Sequence, residues 1–266
     1  MPSLSIIIVN FNTERLTLEC INSIANSNPR VGYEIIVIDN GSSEKLSISN
    51  SHLSLKLIKN KENLGFARAV NQGIKIAKGK YILLLNSDTK VKKNAITVLV
   101  KFAEETPDAG IIGAKILNSD GSTQSSCFNF PTVKNTILDF WFGRKLLDKF
   151  APGESVPVTV DSIVGAAFLI TPKALKEVGP LDVRYFMYFE DMDYCRRVRR
   201  ASLKVYYLPS AEVVHYHGQS GKDIASWDNQ WRRLIPSSKI YHGLLKHYLI
   251  FLIMWSGQKW EKFIKS

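Results

Sequence analysis

Two short acidic clusters, about one hundred positions apart, carry the side chains best suited to chemistry. The first is centred on Asp88, which follows an unbroken apolar run at residues 81–85. Such a run is typical of a buried strand, and an Asp just past the carboxyl end of a strand lies where open α/β sheets bind ligands. The second cluster contains Glu190 and Asp191 and follows the aromatic run 185–189. One carboxylate suits a divalent cation on a diphosphate and the other suits a base, which indicates group transfer from a nucleotide diphosphate.

Asp39 ends a second apolar run, at residues 34–39, in the same way that Asp88 follows the first. Asp39 could accept a hydrogen bond from the imide N–H of a base, while Asp88 faces a metal ion. The alternative is that both are turn residues that cap the next helix, which is common for Asp after a strand. The segment from Asn63 to Gly65 leads into a predicted helix N-terminus, which is a natural place for phosphate or sugar unless it is a plain loop.

The second acidic cluster opens a predicted helix, where the helix dipole favours acidic residues whatever their function. Farther along, His215 and His217 follow a strand-like segment in alternation, so both side chains would lie on one face. Either imidazole could complete a metal site with Asp88. Histidines are also common as ordinary surface or core groups, and the residues leave both interpretations open.

Strands and helices alternate through about residue 117, an order that would bring these strand ends together. Strands are predicted at 4–10, 34–39, 55–58 and 81–85, and helices from Asn12 or Thr13 onward and at 67–77. Gly79 stands where a helix C-cap is expected. The alternation predicts an α/β fold with a mostly parallel sheet and helices on both faces.

The second half of the chain is less regular. Asp120 and Gly121 mark a turn, and residues 125–158 contain many Phe, Trp and Pro residues with weak periodicity. This stretch is interpreted as a mobile, partly aromatic loop that belongs to an acceptor site or a lid. Later elements are predicted in this order: a strand at 163–170, a helix from Thr171 and Pro172, a helix at 191–201, extended chain at 203–208, a strand at 211–215 and C-terminal helices.

A net charge of +11 over 266 residues indicates an anionic partner, such as a phosphorylated substrate, a phospholipid or nucleic acid. No nucleic-acid-binding motif is recognisable. Lysines near the end of the chain flank the apolar segment 248–255, which is too short to cross a bilayer, since this takes roughly 20 apolar residues. With Trp255 and Trp260 beside these lysines, the segment resembles one that lies in a membrane interface. The alternative is a helix packed on the domain or on a second subunit.

Two common classes of nucleotide-binding protein are disfavoured by missing motifs. The first strand is followed by Asn10 and Asn12, without the glycines of a dinucleotide-binding fingerprint. Residues 79–80, Gly and Lys, precede Tyr81 rather than Ser or Thr, so they do not form a P-loop. Nicotinamide dehydrogenases and ordinary ATPases therefore do not fit the chain.

The three cysteines, Cys20, Cys127 and Cys195, are far apart and fit no metal-ligand spacing. They are interpreted as reduced thiols of a cytosolic protein. Residues 1–4 run straight into the first strand, and no signal peptide is recognised. These features predict a cytoplasmic location.

Seven short motifs follow one another at suitable spacing over about residues 3–221. They are SIIIVNFN at 5–12, VIDNGS at 37–42, NLGFA at 63–67, LNSDT at 85–89, GAAFL at 165–169, FMYFEDMD at 186–193 and HYHGQS at 215–220. The ordered set resembles the inverting glycosyltransferases of family 2, and within them the rhamnosyltransferase-like subgroup that builds bacterial surface polysaccharides. Each motif alone is weak, and it is their order that makes the resemblance specific.

The resemblance implies a GT-A fold, in which a nucleotide-binding α/β sheet is joined to a smaller acceptor-binding part, here followed by C-terminal helices. Residues 1–221 would form the glycosyltransferase domain, with a nucleotide-binding half at about 1–117 and an acceptor half at about 118–221. Residues 222–266 would form a C-terminal helical extension, either at a membrane interface or packed on protein.

The resemblance also implies roles for individual residues. Asp191 would be the general base, and Asp88 would ligate Mg²⁺ or Mn²⁺ on the diphosphate. His215 is the first choice for a second metal ligand because the spacing His-x-x-Gly-x-Ser fits it, and His217 is the second choice. Asp39 would contact the nucleotide base. The nucleotide-sugar-binding residues would be Asn10, Asn12, Asp39, Asn40, Asn63, Gly65, Phe66, Asn71, Asn86, Ser87 and Asp88, and the acceptor-binding residues Gly165, Ala166, Phe189 and Glu190.

One position departs from the family pattern. The metal motif of the family often begins with Asp, and in this chain Asn86 stands in that place. Only one carboxylate is left in the motif, which predicts a weaker hold on the metal ion and leaves Asn86 available for direct contact with the nucleotide.

The activity implied by the resemblance is a single inverting displacement on a nucleotide-diphosphate sugar. The preferred donor is dTDP-L-rhamnose, with a UDP-sugar as the alternative. The expected acceptor is a saccharide or a lipid-linked saccharide at the inner face of the cell membrane, where the protein would be peripheral, and homodimerisation is left open. The competing hypotheses are a nucleotidyltransferase, which usually needs a Gly-rich basic loop after the first strand, and a catalytically inactive membrane-associated binding module.

Overall fold

The computed structural model describes residues 2–44, 46–47, 54–153, 155–216 and 230–265. Within these residues the strands are β1 (Leu4–Asn10), β2 (Tyr33–Asp39), β3 (Leu55–Lys59), β4 (Tyr81–Asn86), β5 (Thr89–Val91), β6 (Ala109–Leu117), β7 (Cys127–Phe128), β8 (Val158–Val160), β9 (Ser162–Ile163), β10 (Ala167–Ile170) and β11 (Lys204–His215). The helices are α1 (Glu14–Asn26), α2 (Phe66–Ile76), α3 (Ala95–Glu105), α4 (Val133–Phe142), α5 (Pro172–Val178), α6 (Glu190–Arg200), α7 (Gln230–His242) and α8 (Leu244–Lys265).

The main sheet has the strand order β3-β2-β1-β4-β10-β6-β11-β5, with β8 added beside β11. The first four strands in this order are parallel neighbours. Strand β10 runs antiparallel between β4 and β6, and β11 is parallel to β6. Strands β1, β2, β3, β4, β6 and β11 therefore point the same way, which confirms the mostly parallel sheet. Their carboxyl ends meet at one edge.

Helices cover both faces of the sheet, as the unbroken apolar strands predict. Alternate residues of β1 enter different cores: Ile6 and Ile8 pack on the side of α1 and α3, while Ile7 packs on the side of α2, α5 and α6. All three isoleucines are buried. The result is a three-layer α/β fold with a separate apolar core on each side of the sheet.

The start of α1 and the end of α2 each refine a prediction. Thr13 occupies the N-cap position of α1, as one of the two predicted candidates, although its hydroxyl makes no capping hydrogen bond. The prediction that Gly79 is a helix C-cap is wrong, because α2 ends at Ile76 with Ala77 after it. Gly79 instead lies against β1, where a Cβ would clash with the Ser5 backbone nitrogen. Its lack of a side chain permits this close approach.

Three predictions for the second half need correction. The strand expected at 163–170 is two short strands, β9 and β10, separated by residues 164–166. The segments 203–208 and 211–215 are one strand, β11, which stays paired with β6 through an irregularity between Leu208 and Glu212. The stretch 125–158 is not a plain loop, since it contains β7, α4 and the first residue of β8.

The C-terminal helices pack on the domain. Helix α8 crosses α4 so closely that a Cβ on Gly257 would lie 2.7 Å from the Phe140 carbonyl oxygen, and Trp141 stacks on Trp260 with ring centroids 6.0 Å apart. No helix among the described residues is long and apolar enough to cross a membrane. Many apolar side chains of α8 nevertheless remain exposed.

Candidate active site

Asn10 and Asp39 are direct neighbours at the carboxyl ends of β1 and β2. The Asn10 amide donates to Asp39 Oδ1 (3.1 Å) and to Ser42 Oγ (3.0 Å), and the Ser42 hydroxyl also donates to Asp39 Oδ1. The side-chain oxygen of Asn10, Oδ1, accepts from the hydroxyls of Thr13 and Thr17. Because Asn10 is fully buried and its amide hydrogen bonds all go to protein groups, its side chain fixes the direction of the Asp39 carboxylate. Contact of either residue with a nucleotide stays a prediction.

Asn12 and Asn40 shape the loops that follow β1 and β2. Asn12 has a left-handed backbone (φ 54°), and its side-chain oxygen accepts from the Ser43 N–H (2.9 Å). The buried side chain of Asn40 donates to Asn63 Oδ1 (2.9 Å) and accepts from the Leu64 N–H (3.2 Å). Asn40 and Asn63, both predicted to bind the nucleotide sugar, thus hold the loop before α2 against the end of β2.

Helix α2 touches the aromatic run that leads into the second acidic cluster. Gly65 has φ +87°, and a Cβ there would lie 2.7 Å from the Phe186 carbonyl oxygen. The Phe66 N–H donates to that same oxygen (2.8 Å). One turn later, the Asn71 side chain donates to the Leu181 carbonyl (2.8 Å) and accepts from the Leu181 N–H (3.0 Å). These nucleotide-side residues therefore position acceptor-side backbone, and their contact with a donor stays a prediction.

Asp88 and His215 meet at the carboxyl ends of β4 and β11. Thr89 is paired with His215 between β5 and β11, and the Tyr216 N–H donates to the Asp88 backbone carbonyl (2.9 Å). As a result, Asp88 Oδ1 lies 3.3 Å from His215 Nε2. The side-chain nitrogen of Asn86 lies 3.4 Å from the same ring nitrogen. The first acidic cluster and the predicted histidine are thus brought together.

Ser87, between Asn86 and Asp88, faces the opposite way. It is buried, and its hydroxyl lies 2.9 Å from Thr13 Oγ1 at the start of α1. The contact ties the end of β4 to the end of β1. Ser87 therefore supports the geometry of the strand ends, and its predicted contact with the donor remains untested.

The second nitrogen of His215 contacts Gln124, which no sequence motif marks. His215 Nδ1 and Gln124 Oε1 are 2.9 Å apart. The turn predicted at Asp120 and Gly121 is present, and it folds the chain back from β6 so that Gln124 reaches β11. The turn was visible in the sequence, but a turn does not tell which of the following side chains will face the site.

Asp88 and His215 form a donor pair that fits a divalent cation. A carboxylate oxygen and a neutral imidazole nitrogen are both usual metal ligands, and cations at phosphate sites are often held by few protein groups plus the substrate. Across the part of the chain that the structure describes, no three His, Cys, Asp or Glu side chains are arranged so that they could hold a metal ion together. His217, the second choice for a ligand, lies outside the described residues.

Residues 164–166, between β9 and β10, link the two acidic clusters. The Ala166 carbonyl accepts from the Asn86 N–H (3.1 Å), and the Gly165 N–H donates to Asp191 Oδ2 (3.0 Å). Asp191 Oδ1 accepts from the Met192 N–H (2.7 Å). Burial raises the pKa of Asp191, and these two N–H groups oppose the rise. A carboxylate with a raised pKa is a better proton acceptor near neutral pH than an exposed one.

The neighbours of Asp191 have different environments. Glu190 is buried, and burial, followed by the negative charge of Asp191, raises the pKa of its carboxyl group to about 8. Glu190 Oε2 makes no hydrogen bond within the described part of the chain. Asp193 is also buried but accepts hydrogen bonds from Arg196 and Arg197, both at 2.8 Å. Asp193 therefore stabilises α6, whereas Glu190, beside the predicted base, is a buried carboxyl group whose pKa is raised.

The backbone in front of this cluster is strained. Tyr188 and Phe189 both have left-handed conformations, with φ of 68° and 69°, which cost about 1–2 kcal/mol per residue for side chains other than Gly. Helix α7 holds the segment in place: Ser237 Oγ donates to the Met187 carbonyl (2.8 Å), and the Phe189 ring packs 5.3 Å from that of Tyr241. Such strain is concentrated at functional sites.

The architecture is that of the GT-A glycosyltransferases. GalNAc-T7, solved with UDP, GalNAc and Mn²⁺, superposes with a TM-score of 0.62 at 16% identity over 89% of this chain and 48% of its own. The mannosyltransferase PcManGT from Pyrobaculum calidifontis, solved with GDP-Man and Mn²⁺, superposes with a TM-score of 0.60 at 17% identity over 93% of this chain and 63% of its own. S. aureus TarS superposes with a TM-score of 0.56 at 14% identity, over 95% of this chain and 69% of its own. This chain thus spans about half of GalNAc-T7, and the likeness concerns the fold.

The chain belongs to glycosyl transferase family 2, whose model matches residues 5–160, more than half of its length. The family assignment confirms the resemblance that the ordered motifs indicated, and with it a glycosyltransferase activity. The matched range contains β1, β2 and β4 with Asp39 and Asp88, and ends before Asp191 and His215.

Characterised relatives cover more of the chain. The low-salt glycan biosynthesis hexosyltransferase Agl10 of Haloferax volcanii is 28% identical over 81% of this chain and 67% of its own length. The N-acetylglucosaminyl-diphospho-decaprenol L-rhamnosyltransferase of Mycobacterium tuberculosis is 28% identical over 77% of this chain and 72% of its own length. The rhamnosyltransferase WbbL of Escherichia coli is 28% identical over 75% of this chain and 78% of its own length.

Proposed function

We propose that this protein is an inverting glycosyltransferase that moves L-rhamnose from dTDP-L-rhamnose to a saccharide or lipid-linked saccharide in bacterial surface polysaccharide synthesis. The observation that carries the proposal is that the short segment 164–166, at the carboxyl edge of the sheet, is hydrogen-bonded both to the Asn86 N–H, two residues before Asp88, and to the Asp191 carboxylate. The rhamnosyltransferases among the relatives support the choice of sugar, and one of them acts on a diphospho-decaprenol substrate by its name.

Asp191 acts as the general base in this proposal. Its two oxygens are each held by one backbone N–H, from Met192 and from Gly165, so the carboxylate keeps further lone pairs for a proton. As Asp191 takes the hydroxyl proton of the acceptor, the acceptor oxygen forms a bond to the anomeric carbon. The bond from that carbon to the diphosphate oxygen breaks, and the nucleoside diphosphate leaves with the electron pair. One displacement inverts the anomeric centre.

Asp88 and His215 would hold Mg²⁺ or Mn²⁺ on the donor diphosphate. Such a cation, when bound, offsets the negative charge that develops on a leaving diphosphate. Asn86 lies beside His215 Nε2 at 3.4 Å, where its amide is suited to donate a hydrogen bond to a phosphate oxygen. This arrangement offers one way for the site to function with a single Asp in the motif.

Asp39 would accept the imide N–H of the base, and Gly165, Ala166, Phe189 and Glu190 would line the acceptor side. Uracil and thymine share that imide, so a UDP-sugar donor is the alternative within the same reaction. A nucleotidyltransferase is disfavoured because no Gly-rich basic loop follows β1. An inactive binding module would not need the hydrogen bond that holds Asp191 to Gly165.

The donor site is tested by thermal shifts with dTDP, UDP, GDP and ATP, each with Mn²⁺ and with EDTA. A ligand at a hundredfold its Kd adds about 2.7 kcal/mol of stability, which raises the Tm by several degrees. We expect a metal-dependent shift with dTDP or UDP, and that result selects the donor for a transfer assay that follows product stereochemistry by NMR. Absence of any nucleotide shift would contradict the proposal.

We also propose that the protein is peripheral at the cytoplasmic face of the membrane, through an apolar platform on α4 and α8. Leu245 is 85% exposed and Phe142 68% exposed, far more than is usual for side chains of this kind. The platform consists of these two residues together with Trp141, Leu244, Tyr248, Leu249, Phe251, Leu252 and Trp255.

The charges around the platform favour an anionic lipid surface over a second copy of the chain. Lys134 on α4 and Lys246 and Lys259 on α8 are exposed, and Arg144 and Lys145 follow α4. A symmetric dimer through this platform would place the same basic residues opposite each other. An anionic bilayer surface instead attracts each lysine or arginine near it by about 1 kcal/mol.

Vesicle co-sedimentation tests the platform, with phosphatidylglycerol-containing and purely zwitterionic vesicles. We expect binding to the anionic vesicles that weakens with salt and is lost in the double variant Leu245→Glu, Leu252→Glu. Val156→Glu, which changes an exposed apolar residue away from the platform (57% exposed), serves as the matched control. A stable dimer without vesicle binding would show that a second copy covers the platform instead.

A further inference from the structure

A chain of four side-chain hydrogen bonds leads from His215 away from the site. His215 Nδ1 contacts Gln124 Oε1 (2.9 Å), and Gln124 Nε2 donates to Asn118 Oδ1 (2.9 Å). Asn118 Nδ2 donates to Ser122 Oγ (2.9 Å), whose hydroxyl donates to Asp120 Oδ1 (2.6 Å). The donor reaction as derived above uses only the first member of this chain.

The direction of every hydrogen bond in this series follows from its last acceptor, Asp120. Asp120 is an exposed carboxylate, and the hydrogen bond from Ser122 lowers its pKa further, so it can only accept. Ser122 must therefore donate to Asp120 and accept from the Asn118 amide nitrogen. This leaves Asn118 Oδ1 to accept from Gln124, so Gln124 turns its oxygen, which has no proton, toward the imidazole.

We propose that Gln124 is a positioning residue that fixes the tautomer of His215. Since Gln124 Oε1 can only accept, His215 Nδ1 carries the proton, and in the neutral imidazole Nε2 then keeps its lone pair. That lone pair is on the nitrogen 3.3 Å from Asp88 Oδ1, where the metal is proposed to bind. Histidine ligands are commonly oriented by a partner on the other ring nitrogen. The inference rests on the proposed function in so far as His215 serves as a metal ligand.

All the residues in this series of hydrogen bonds, except His215, come from one short segment, residues 118–124. Leu117 and Thr123 form an antiparallel bridge, and the Asn118 N–H donates to the Ser122 carbonyl (2.8 Å). The Gln124 N–H in turn donates to the Ile116 carbonyl at the end of β6 (2.8 Å). Backbone hydrogen bonds to β6 therefore place Gln124, and a substitution of its side chain alters the contact with His215 while leaving these backbone bonds intact.

The tautomer is measured directly by two-bond ¹H–¹⁵N correlation NMR of the histidine rings. The protein is ¹⁵N-labelled, kept in EDTA at alkaline pH, and the His215 signals are assigned by their loss in His215→Asn. We expect the wild type to show the Nδ1–H form. Gln124→Leu removes the acceptor and should give a mixture with the Nε2–H form, while Gln124→Glu, which can still accept, should keep the Nδ1–H form.

Metal affinity supplies the second measurement, by Mn²⁺ electron paramagnetic resonance titration in the presence of UDP or dTDP. Loss of such an orienting partner typically weakens metal binding by about 10–100-fold, which we expect for Gln124→Leu. Gln124→Glu should remain closer to the wild type than Gln124→Leu does. Thr123→Val, an exposed change next to Gln124, is the matched control and should bind Mn²⁺ as the wild type does.

The two measurements separate this inference from the proposed function. If Gln124→Leu keeps the Nδ1–H form and the wild-type Mn²⁺ affinity, the positioning role of Gln124 is wrong, whatever the metal does. If the wild type shows no Mn²⁺ binding with either nucleotide, the metal role in the proposed function fails, while the NMR result still decides the tautomer.

Discussion

The proposed nucleotide-binding half, about residues 1–117, and the proposed acceptor half, about residues 118–221, are built in different ways. In the proposed nucleotide-binding half, the ends of β1 and β2 hold Asn10 and Asp39 against each other, whereas Asp88, just after β4, meets His215 from β11. In the acceptor half, Asp191 follows two residues with left-handed backbone and is held by a strand connection and by α7. The comparison teaches that contacts between neighbouring strand ends position Asn10 and Asp39, whereas Asp191 depends on contacts from distant parts of the chain, and Asp88 draws on both kinds of contact.

Among the substitutions that distinguish the two halves, Asp191→Asn is expected to have the largest effect. General-base catalysis typically contributes 10²–10⁴-fold, so kcat should fall by about that factor. The thermal shift with dTDP or UDP and Mn²⁺ should stay near the wild-type value, because the substitution touches only the acceptor half. Steady-state kinetics and the thermal shift are compared with Asp148→Asn, an exposed carboxylate. Loss of nucleotide binding in Asp191→Asn would contradict its assignment as the base.

Asp88→Asn should have the opposite signature. It removes the carboxylate that lies 3.3 Å from His215 Nε2. Substitution of a residue that only orients a metal ligand typically weakens metal binding by about 10–100-fold. Because Asp88 is proposed to bind the metal itself, Mn²⁺-dependent binding of the nucleotide should weaken by more than this. Isothermal titration with UDP or dTDP, with and without Mn²⁺, measures the effect. Equal metal dependence in this variant and the wild type would remove Asp88 from the metal site.

Glu190→Gln tests the buried carboxyl next to the base through the pH dependence of stability. In the folded protein Glu190 keeps its proton up to about pH 8, whereas its ordinary pKa is 4.5. Its contribution to stability is therefore fully present below about pH 4.5 and is lost as the pH rises through about 8. Glutamine cannot ionise, so the variant should have a higher Tm than the wild type above pH 8.

Thermal unfolding across this pH range, with EDTA present, measures the difference. Each 1 kcal/mol corresponds to about 2–4 °C in Tm for a domain of this size. Glu177→Gln on α5 is the matched control, since that glutamate is exposed. Parallel pH profiles for the wild type and Glu190→Gln would mean that the fold does not raise the pKa of Glu190.

The smallest effect is expected from Ser237→Ala, which removes the hydrogen bond from α7 to the Met187 carbonyl. A hydrogen bond of this kind contributes about 0.5–1.5 kcal/mol, so kcat should fall by less than about tenfold. Nucleotide binding should not change, because the contact lies in the acceptor half. Ser256→Ala on α8, whose hydroxyl bonds within its own helix, is the control. A change in nucleotide affinity without a change in kcat would contradict the comparison.

The nucleotide-binding half could be predicted from the sequence because its signals are local. The strands that end at Asn10, Asp39 and Asn86 are unbroken apolar runs, and such runs are buried whatever packs on them. The ends of parallel strands share one edge, so the grouping of their side chains follows from the order of the elements. The same reasoning does not apply to Gly79, whose role depends on a close approach to Ser5 that no local pattern encodes.

The acceptor half could be predicted only in part because its structure depends on non-local contacts. Helix α4 was missed since its apolar residues pack on α8, more than a hundred residues later, and do not form one clear stripe. Strand β11 was divided at Pro209 and Ser210, although pairing with β6 carries it through that irregularity. Gln124 was missed for the same reason, because its importance depends on where β11 places His215.

The contact between Gly65 and Phe186 limits how relatives of this enzyme can exchange parts. Any side chain at position 65 would meet the Phe186 backbone, and the Phe66 N–H is bonded to that same carbonyl oxygen. The two halves are therefore not independent modules, even though the strand pattern changes near residue 117. A chimera that joins residues 1–117 of one enzyme to the following part of another must inherit both sides of this contact, or the loop before Asp191 will not pack correctly.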